Sequence, residues 1–390
     1  MTQARPGGAL RGRAGSRRVL VLFGTRPEAI KMMPVLKALA QRPGIAPLAC
    51  STGQHREMLD QVLADFGARC DLDLGVMAHG QALPALTSRI LLGVAQVLEQ
   101  TRPDMVLVHG DTTTAMAAAL AAFYARVPVG HVEAGLRSFD MDSPWPEEFN
   151  RVAVDALATL KFAPTEQAAD NLRRDHGGHG RILVTGNTGI DSLLGAVAAL
   201  RRDPALRARI AARLPRLDPA RRLIVVTGHR RESFGAGFER ICAGLRGIAA
   251  RPDVQIVYPV HPNPQLRAVV TDRLGNLGNL RLIEPLGYLE MVHLMALADL
   301  LITDSGGIQE EGPALGKPVL VMREVTERPE ALATGVVRLI GTCPETMRRE
   351  VARLLDDAAA YAQAARPVFP YGDGRAAQRI AAAVEAWSPA

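Results

Sequence analysis

With 390 residues, 48% of them hydrophobic and 22% charged, the chain is long enough for two packed domains, and no apolar run approaches the roughly 18 residues of a membrane span. The net charge of +6 does not mark a nucleic-acid-binding face: Arg5, Arg11, Arg13, Arg17 and Arg18 supply five positive charges near the start, which leaves the rest near +1. Cys50, Cys70, Cys242 and Cys343 form no CxxC pair and no metal-ligand spacing, so no metal site is expected, and a reducing cytoplasm fits them.

Residues 1–17 are rich in Gly and Arg, lack hydrophobic periodicity and read as a disordered tail. Val19–Phe23 reads as a buried strand, since its apolar run is too short for the core of an export signal. Thr25-Arg26-Pro27-Glu28 then combines a capping-box spacing with an early proline, and Ile30, Met33, Leu36 and Ala40 follow at helical spacing. Met105–Val108 is the next strand, and Thr113–Ala125 an Ala-rich helix. Val127–His131, Leu160–Ala163 and Ile182–Val184 complete a first series. A second series follows the charged segment Ala198–Arg222, with strands at Leu223–Val226, Gln255–Val260, Leu280–Ile283, Leu300–Thr303 and Val319–Met322. Continuous apolar strands separated by helices predict parallel sheets covered on both faces. The fold class is α/β, with two Rossmann-like, doubly wound domains at 18–187 and 188–369.

Ligands of such sheets bind beyond the carboxyl ends of the strands, so the polar residues there carry the chemistry. Asp304-Ser305-Gly306-Gly307-Ile308-Gln309-Glu310-Glu311 places small residues where a strand meets a helix N-terminus, whose unpaired N–H groups favour a phosphate. Ser305, Gly306 and Gly307 would form the cradle, with Arg26 and Arg328 as further diphosphate partners and Glu311 in range of sugar hydroxyls. The alternative is a tight turn whose glycines serve packing. Gly235-Ala236-Gly237-Phe238-Glu239-Arg240 has Arg at the third glycine position and follows no strand, so no nicotinamide cofactor is expected. Four acid/base candidates remain: Asp111, Glu133, Glu147 or its neighbour Glu148, and His229. Singly each has a plain alternative, such as Asp111 capping the next helix; together they suit general acid/base work.

Eight segments in order, from Phe23-Gly24-Thr25-Arg26-Pro27-Glu28-Ala29-Ile30-Lys31 to Thr326-Glu327-Arg328-Pro329-Glu330, make the chain recognisable. Between them come Gly53-Gln54-His55-Arg56, His109-Gly110-Asp111-Thr112, Gly130-His131-Val132-Glu133-Ala134-Gly135-Leu136-Arg137, Pro144-Trp145-Pro146-Glu147-Glu148, Thr227-Gly228-His229-Arg230-Arg231-Glu232 and Asp304–Glu311. The sequence resembles the non-hydrolysing UDP-N-acetylglucosamine 2-epimerases of bacteria. The resemblance implies a GT-B fold, two Rossmann-like domains facing across a deep cleft, with a final helix at Asp373–Trp387, within 370–390, crossing back to the first domain. It implies reversible conversion of UDP-GlcNAc to UDP-ManNAc by anti elimination of UDP through 2-acetamidoglucal, without a cofactor. By motif position, Asp111, Glu133, Glu147 and His229 would form the catalytic set. Arg26, Lys31, His229, Ser305, Gly306, Gly307, Glu311 and Arg328 would bind the UDP-sugar. Gln54, Arg230 and His261 would bind a second UDP-GlcNAc as activator. Met291 stands where an aromatic is expected against the uracil, and Leu286 where relatives carry a polar residue. A cytoplasmic homodimer feeding surface-polysaccharide synthesis is expected, with no nucleic-acid or membrane partner. The competing readings are a glycosyltransferase sharing the UDP site, an epimerase of a more decorated UDP-sugar, and a non-catalytic nucleotide-sugar regulator.

Overall fold

A computed structural model describes residues 15–53, 56–76, 80–175, 180–228 and 235–388. Residues 1–14 of the expected tail, together with Gln54, His229 and Arg230, lie outside these ranges. The chain divides into two compact units, one formed by Met1–Ser192 with Tyr371–Ala390 and the other by Leu193–Pro370. Among the described residues no helix is long and apolar enough to cross a membrane.

The first unit holds β1 (Arg17–Phe23), β2 (Ile45–Ser51), β3 (Leu72–Asp73), β4 (Met105–His109), β5 (Val129–Val132), β6 (Leu160–Ala163) and β7 (Arg181–Val184). Their order is β3-β2-β1-β4-β5-β6-β7, with every pairing parallel. The alternation of β1 explains its continuous apolar run, because both faces are covered. Val19, Val21 and Phe23 pack with Ala29, Met32 and Met33 of the helix Arg26–Ala40 and with Ile380 and Val384 of the final helix, Ala376–Ala386. Leu20 and Leu22 pack on the other face with Ile90, Val94 and the Ala-rich helix Thr113–Tyr124.

The second unit holds β8 (Arg222–Thr227), β9 (Val254–Pro259), β10 (Leu280–Ile283), β11 (Leu300–Thr303), β12 (Val319–Val321) and β13 (Val337–Leu339). This sheet is also wholly parallel, in the order β10-β9-β8-β11-β12-β13. Ile224, Val226, Ile256, Tyr258, Leu300 and Ile302 form the centre of its core.

Three strands have no counterpart in the sequence reading. β2 contains Pro47, which interrupts its apolar run and argues against a strand, and is only half-buried over Ala46–Leu48; β3 and β13 are two and three residues long. The tail assignment also extends too far. Arg17 opens β1, its N–H donating to Gly44 O at 2.9 Å and its guanidinium lying 5.3 Å over the Trp387 ring. The units part after Ser192 rather than after 187, because the first turn of the helix Thr188–Arg202 is tied down. Asp191 accepts from the N–H groups of Ala376 and Ala377 at 3.2 and 2.8 Å, and Ser192 Oγ donates to Ile30 O at 2.5 Å.

Candidate active site

In the first sheet the strand order reverses between β1 and β4, where the helices that follow diverge and open a crevice. Glu28 joins the loops that leave these two strands. Its Oε2 accepts the N–H groups of Gly24 and Thr25 at 3.0 and 2.7 Å, and its Oε1 accepts the Thr112 hydroxyl at 2.6 Å. Thr25 completes the expected capping box, with its side chain accepting the Glu28 N–H. Thr112, and not Asp111, caps the helix Thr113–Tyr124, accepting the Ala115 N–H at 3.0 Å. The Asp111 carboxylate is instead paired with the Arg151 guanidinium, and Asn150 Nδ2 donates to Asp111 O at 2.9 Å. Both partners lie on the helix Glu147–Leu157, whose first residue is Glu147. The structure separates the two neighbouring glutamates. Glu148 is buried and accepts the N–H groups of Ser138 and Phe139, both at 3.0 Å, whereas Glu147 is half-buried.

Glu133 directly follows β5 and has a left-handed backbone, φ 66°. Glu133 shares this left-handed conformation with three other non-glycine residues, Arg102, Arg126 and Phe139, among those described. Its Oε2 is paired with the Lys31 ammonium, accepts Asn187 Nδ2 at 3.0 Å and lies 3.7 Å from His109 Nε2. The last distance is electrostatic rather than a hydrogen bond. Burial pushes the Glu133 carboxyl up, but Lys31 and His109 outweigh it and hold the group well below the usual carboxylate range. Beneath it, His131 bridges Gly110 O at 2.8 Å and Asp155 at 2.6 Å, and Arg137 pairs with Asp155 at 2.8 Å. These buried groups fix the backbone from which Asp111 and Glu133 project. Burial raises the Asp155 carboxyl, but His131 and Arg137 bring it below its ordinary value.

The second sheet reverses between β8 and β11, and Thr227 and Thr303 bond through their hydroxyls at 2.6 Å across that point. Ser305 precedes the helix Gly306–Ala314, whose first-turn N–H groups have no intrahelical acceptor. Arg328 lies flat against Gly306: a Cβ there would sit 2.9 Å from Arg328 Cζ. At Gly307 an added Cβ would meet, among the described residues, only Ser305 Oγ at an ordinary contact distance of 3.9 Å. Packing therefore explains Gly306 but not Gly307. Arg328 Nε donates to Glu310 Oε1 at 3.0 Å, and Glu327 beside it receives Arg323 at 2.9 and 3.1 Å. Burial opposes ionisation of Glu327, but Arg323 brings its carboxyl down to about 2. Glu311 is half-buried on the same helix. His261, just beyond β9, is exposed and accepts the Asn263 N–H on Nδ1 at 3.2 Å. Leu286 and Met291 are half-buried.

Within the first unit, Lys31 and Glu133 are in contact, Arg26 begins the helix that carries Lys31, and Asp111 is tied to the helix that begins with Glu147. Within the second, Ser305, Gly306, Gly307 and Arg328 share one helix N-terminus, and Glu311 lies on the second turn of that helix. Sequence reasoning missed Glu28, His109, Arg151 and Asn187. Glu28, His109 and Asn187 lie at or within five residues of a strand's carboxyl end, a position at which any polar side chain merits scrutiny. Arg151 carried no such signal.

The profile of the UDP-N-acetylglucosamine 2-epimerase family matches residues 37–385. The UDP-N-acetylglucosamine 2-epimerase of Escherichia coli is 54% identical over 369 residues, covering 94% of this chain and 98% of its own. That of Yersinia pestis has the same identity and coverage, 54% over 369 residues, 94% and 98%. Among solved structures, the UDP-GlcNAc 2-epimerase from Neisseria meningitidis bound to UDP-GlcNAc superposes with a TM-score of 0.89 at 43% identity, over 94% of this chain and 99% of that one. Two parallel Rossmann-like sheets of this kind constitute the GT-B class. With the family profile matching residues 37–385 and relatives 54% identical over nearly the whole chain, the chain belongs to the UDP-N-acetylglucosamine 2-epimerase family.

Proposed function

We propose that the protein interconverts UDP-GlcNAc and UDP-ManNAc by inverting C2 of the sugar through elimination and re-addition of UDP. The observation that carries this reading is Glu133, a carboxylate kept ionised by Lys31, from the helix after β1, and His109, at the end of β4, the two strands that flank the switch point and of which β4 leads into Asp111. C2 of a nucleotide sugar is not adjacent to a carbonyl, so its proton leaves only with compensation elsewhere. Loss of the C2 proton to a protein carboxylate, with the C1–O bond breaking toward UDP, forms the C1=C2 double bond of 2-acetamidoglucal. A proton then returns to the opposite face of C2 while a β-phosphate oxygen of UDP re-forms the bond to C1. Asp111, Glu133, Glu147 and His229 divide the removal and return of that proton. Ser305, Gly306, Gly307 and Arg328 hold the diphosphate, Glu311 the sugar hydroxyls of UDP, and Arg26, Lys31 and His229 complete the binding set.

The same reading includes a second UDP-GlcNAc as activator at Gln54, Arg230 and His261, a homodimer, a cytoplasmic location and a product used for surface polysaccharides. Proton NMR of the protein with UDP-GlcNAc in D2O tests the chemistry. UDP-ManNAc carrying deuterium at C2 is expected without added NAD or metal, with traces of free UDP and 2-acetamidoglucal. A strict requirement for NAD would sink the elimination route. For the activator, UDP-ManNAc alone is expected to react slowly until UDP-GlcNAc is added, because an activator must favour the catalytic state.

A further inference from the structure

Glu133 has a neutral partner whose task the reaction above leaves open. Asn187 lies just beyond β7 and is 3% exposed. Its Nδ2 donates to Glu133 Oε2 at 3.0 Å. Its Oδ1 accepts the Gly189 N–H at 2.8 Å, which fixes which end of the amide faces Glu133. Its own N–H donates to Tyr371 O at 2.7 Å, so the residue is anchored to the segment by which the chain returns to this unit. Oε2 of Glu133 thus serves both Lys31 and Asn187, while Oε1 points to the Gly110–Asp111 loop: a Cβ on Gly110 would lie 3.9 Å from it. The charged or titratable groups facing Glu133 among the described residues are Lys31, from the helix Arg26–Ala40, and His109, from β4.

We infer that Asn187 is a positioning residue: it occupies Oε2 beside Lys31, so that Oε1 is the oxygen turned to the substrate and the carboxylate stays ionised. This role presupposes that Glu133 acts on the sugar as proposed above. A neutral amide suits the task, since it donates to the carboxylate without adding a second cation that would compete with Lys31. An acid in its place would set like charge against like and favour a shared proton.

Asn187→Asp is nearly isosteric and keeps an oxygen for the Gly189 N–H. It is expected to lower kcat for UDP-GlcNAc about tenfold at neutral pH, the worth of one hydrogen bond to a charged group, with KM changed less than about twofold. The acid limb of the kcat profile should rise by about one unit or more. Asn187→Ser, which can still cap Gly189 but is too short to reach Glu133, should also lower kcat and move the limb less. Carboxyl 13C NMR of Glu-labelled protein reads the same coupling without turnover, the Glu133 signal being the one lost in Glu133→Gln. That signal should titrate at higher pH in both variants than in the native protein. An unchanged Glu133 titration, or a loss of activity equal at every pH and matched by a loss of melting temperature, overturns the role. If the native protein does not epimerise UDP-GlcNAc, the proposed function fails, and the titration alone still decides whether Asn187 governs Glu133.

Discussion

Lys31 and Glu133 show how a side chain acquires a working state from its surroundings. Burial alone would neutralise the Glu133 carboxyl; the adjoining Lys31 ammonium reverses that. Glu133→Gln, Asp111→Asn and Glu147→Gln are each expected to lower kcat about 10²-fold or more, with circular dichroism unchanged; near-normal turnover in all three would disprove the catalytic set. The two helix-start glycines separate packing from ligand contact. Gly306→Ala should displace Arg328 and raise KM together with a drop in melting temperature, since its Cβ would stand 2.9 Å from Arg328 Cζ. Gly307→Ala meets no close contact among the described residues, so a raised KM at constant melting temperature is the expected result, measured by initial rates and calorimetry. Glu327, brought from 4.5 to about 2 chiefly against burial and by Arg323, supplies stability that is complete above about pH 4.5. That contribution fades as pH falls toward 2, so Glu327→Gln should cost up to about 3 kcal/mol at pH 7 and much less near pH 2, read by urea titration at both pH values.

At the scale of single elements, the start of the helix Arg26–Ala40 combines a local signal with a long-range one. Thr25 and Glu28 cap the helix within four residues, as their spacing foretold. Glu28 also receives the Thr112 hydroxyl at 2.6 Å, and Thr112 in turn caps a second helix. Thr25→Ala should therefore cost about 1 kcal/mol, the ordinary worth of a cap. Glu28→Ala should cost more, since it strands the N–H groups of Gly24 and Thr25 and loosens the Thr112 cap as well. Equal losses in chemical denaturation would show that the bridge to Thr112 contributes nothing.

At the scale of the whole molecule, the last helix belongs to the unit that the chain began. Ala377, Ile380, Ala381 and Val384 are within 1% of full burial beside Met32 and Met33. Removing 376–388 deletes two buried aliphatic side chains, Ile380 and Val384, worth roughly 1.5–3 kcal/mol each, and exposes the surface they covered, a large share of the roughly 5–15 kcal/mol that holds a domain together. Calorimetry of the truncated chain should show the first unit's transition lowered sharply and that of the second, Leu193–Pro370, retained. A common shift of both would mean that the units unfold as one.

The sequence by itself determined what depends on neighbours along the chain. The apolar run of β1 follows from burial on both faces, the Thr25–Glu28 cap from four consecutive residues, and the small residues 305–307 from the turn out of β11 into a helix. β2 escaped because Pro47 interrupts its apolar run, although β1 provides it a complete parallel partner. The tertiary structure alone decided charge and orientation. Asp111 rather than Thr112 is left for Arg151, Glu148 rather than Glu147 is consumed by backbone N–H groups, and Asn187, beyond β7, meets Glu133, beyond β5, across one intervening strand. These pairings join residues far apart in the chain, and an ion pair or a buried hydrogen bond depends on distance and burial in space, which no local pattern encodes.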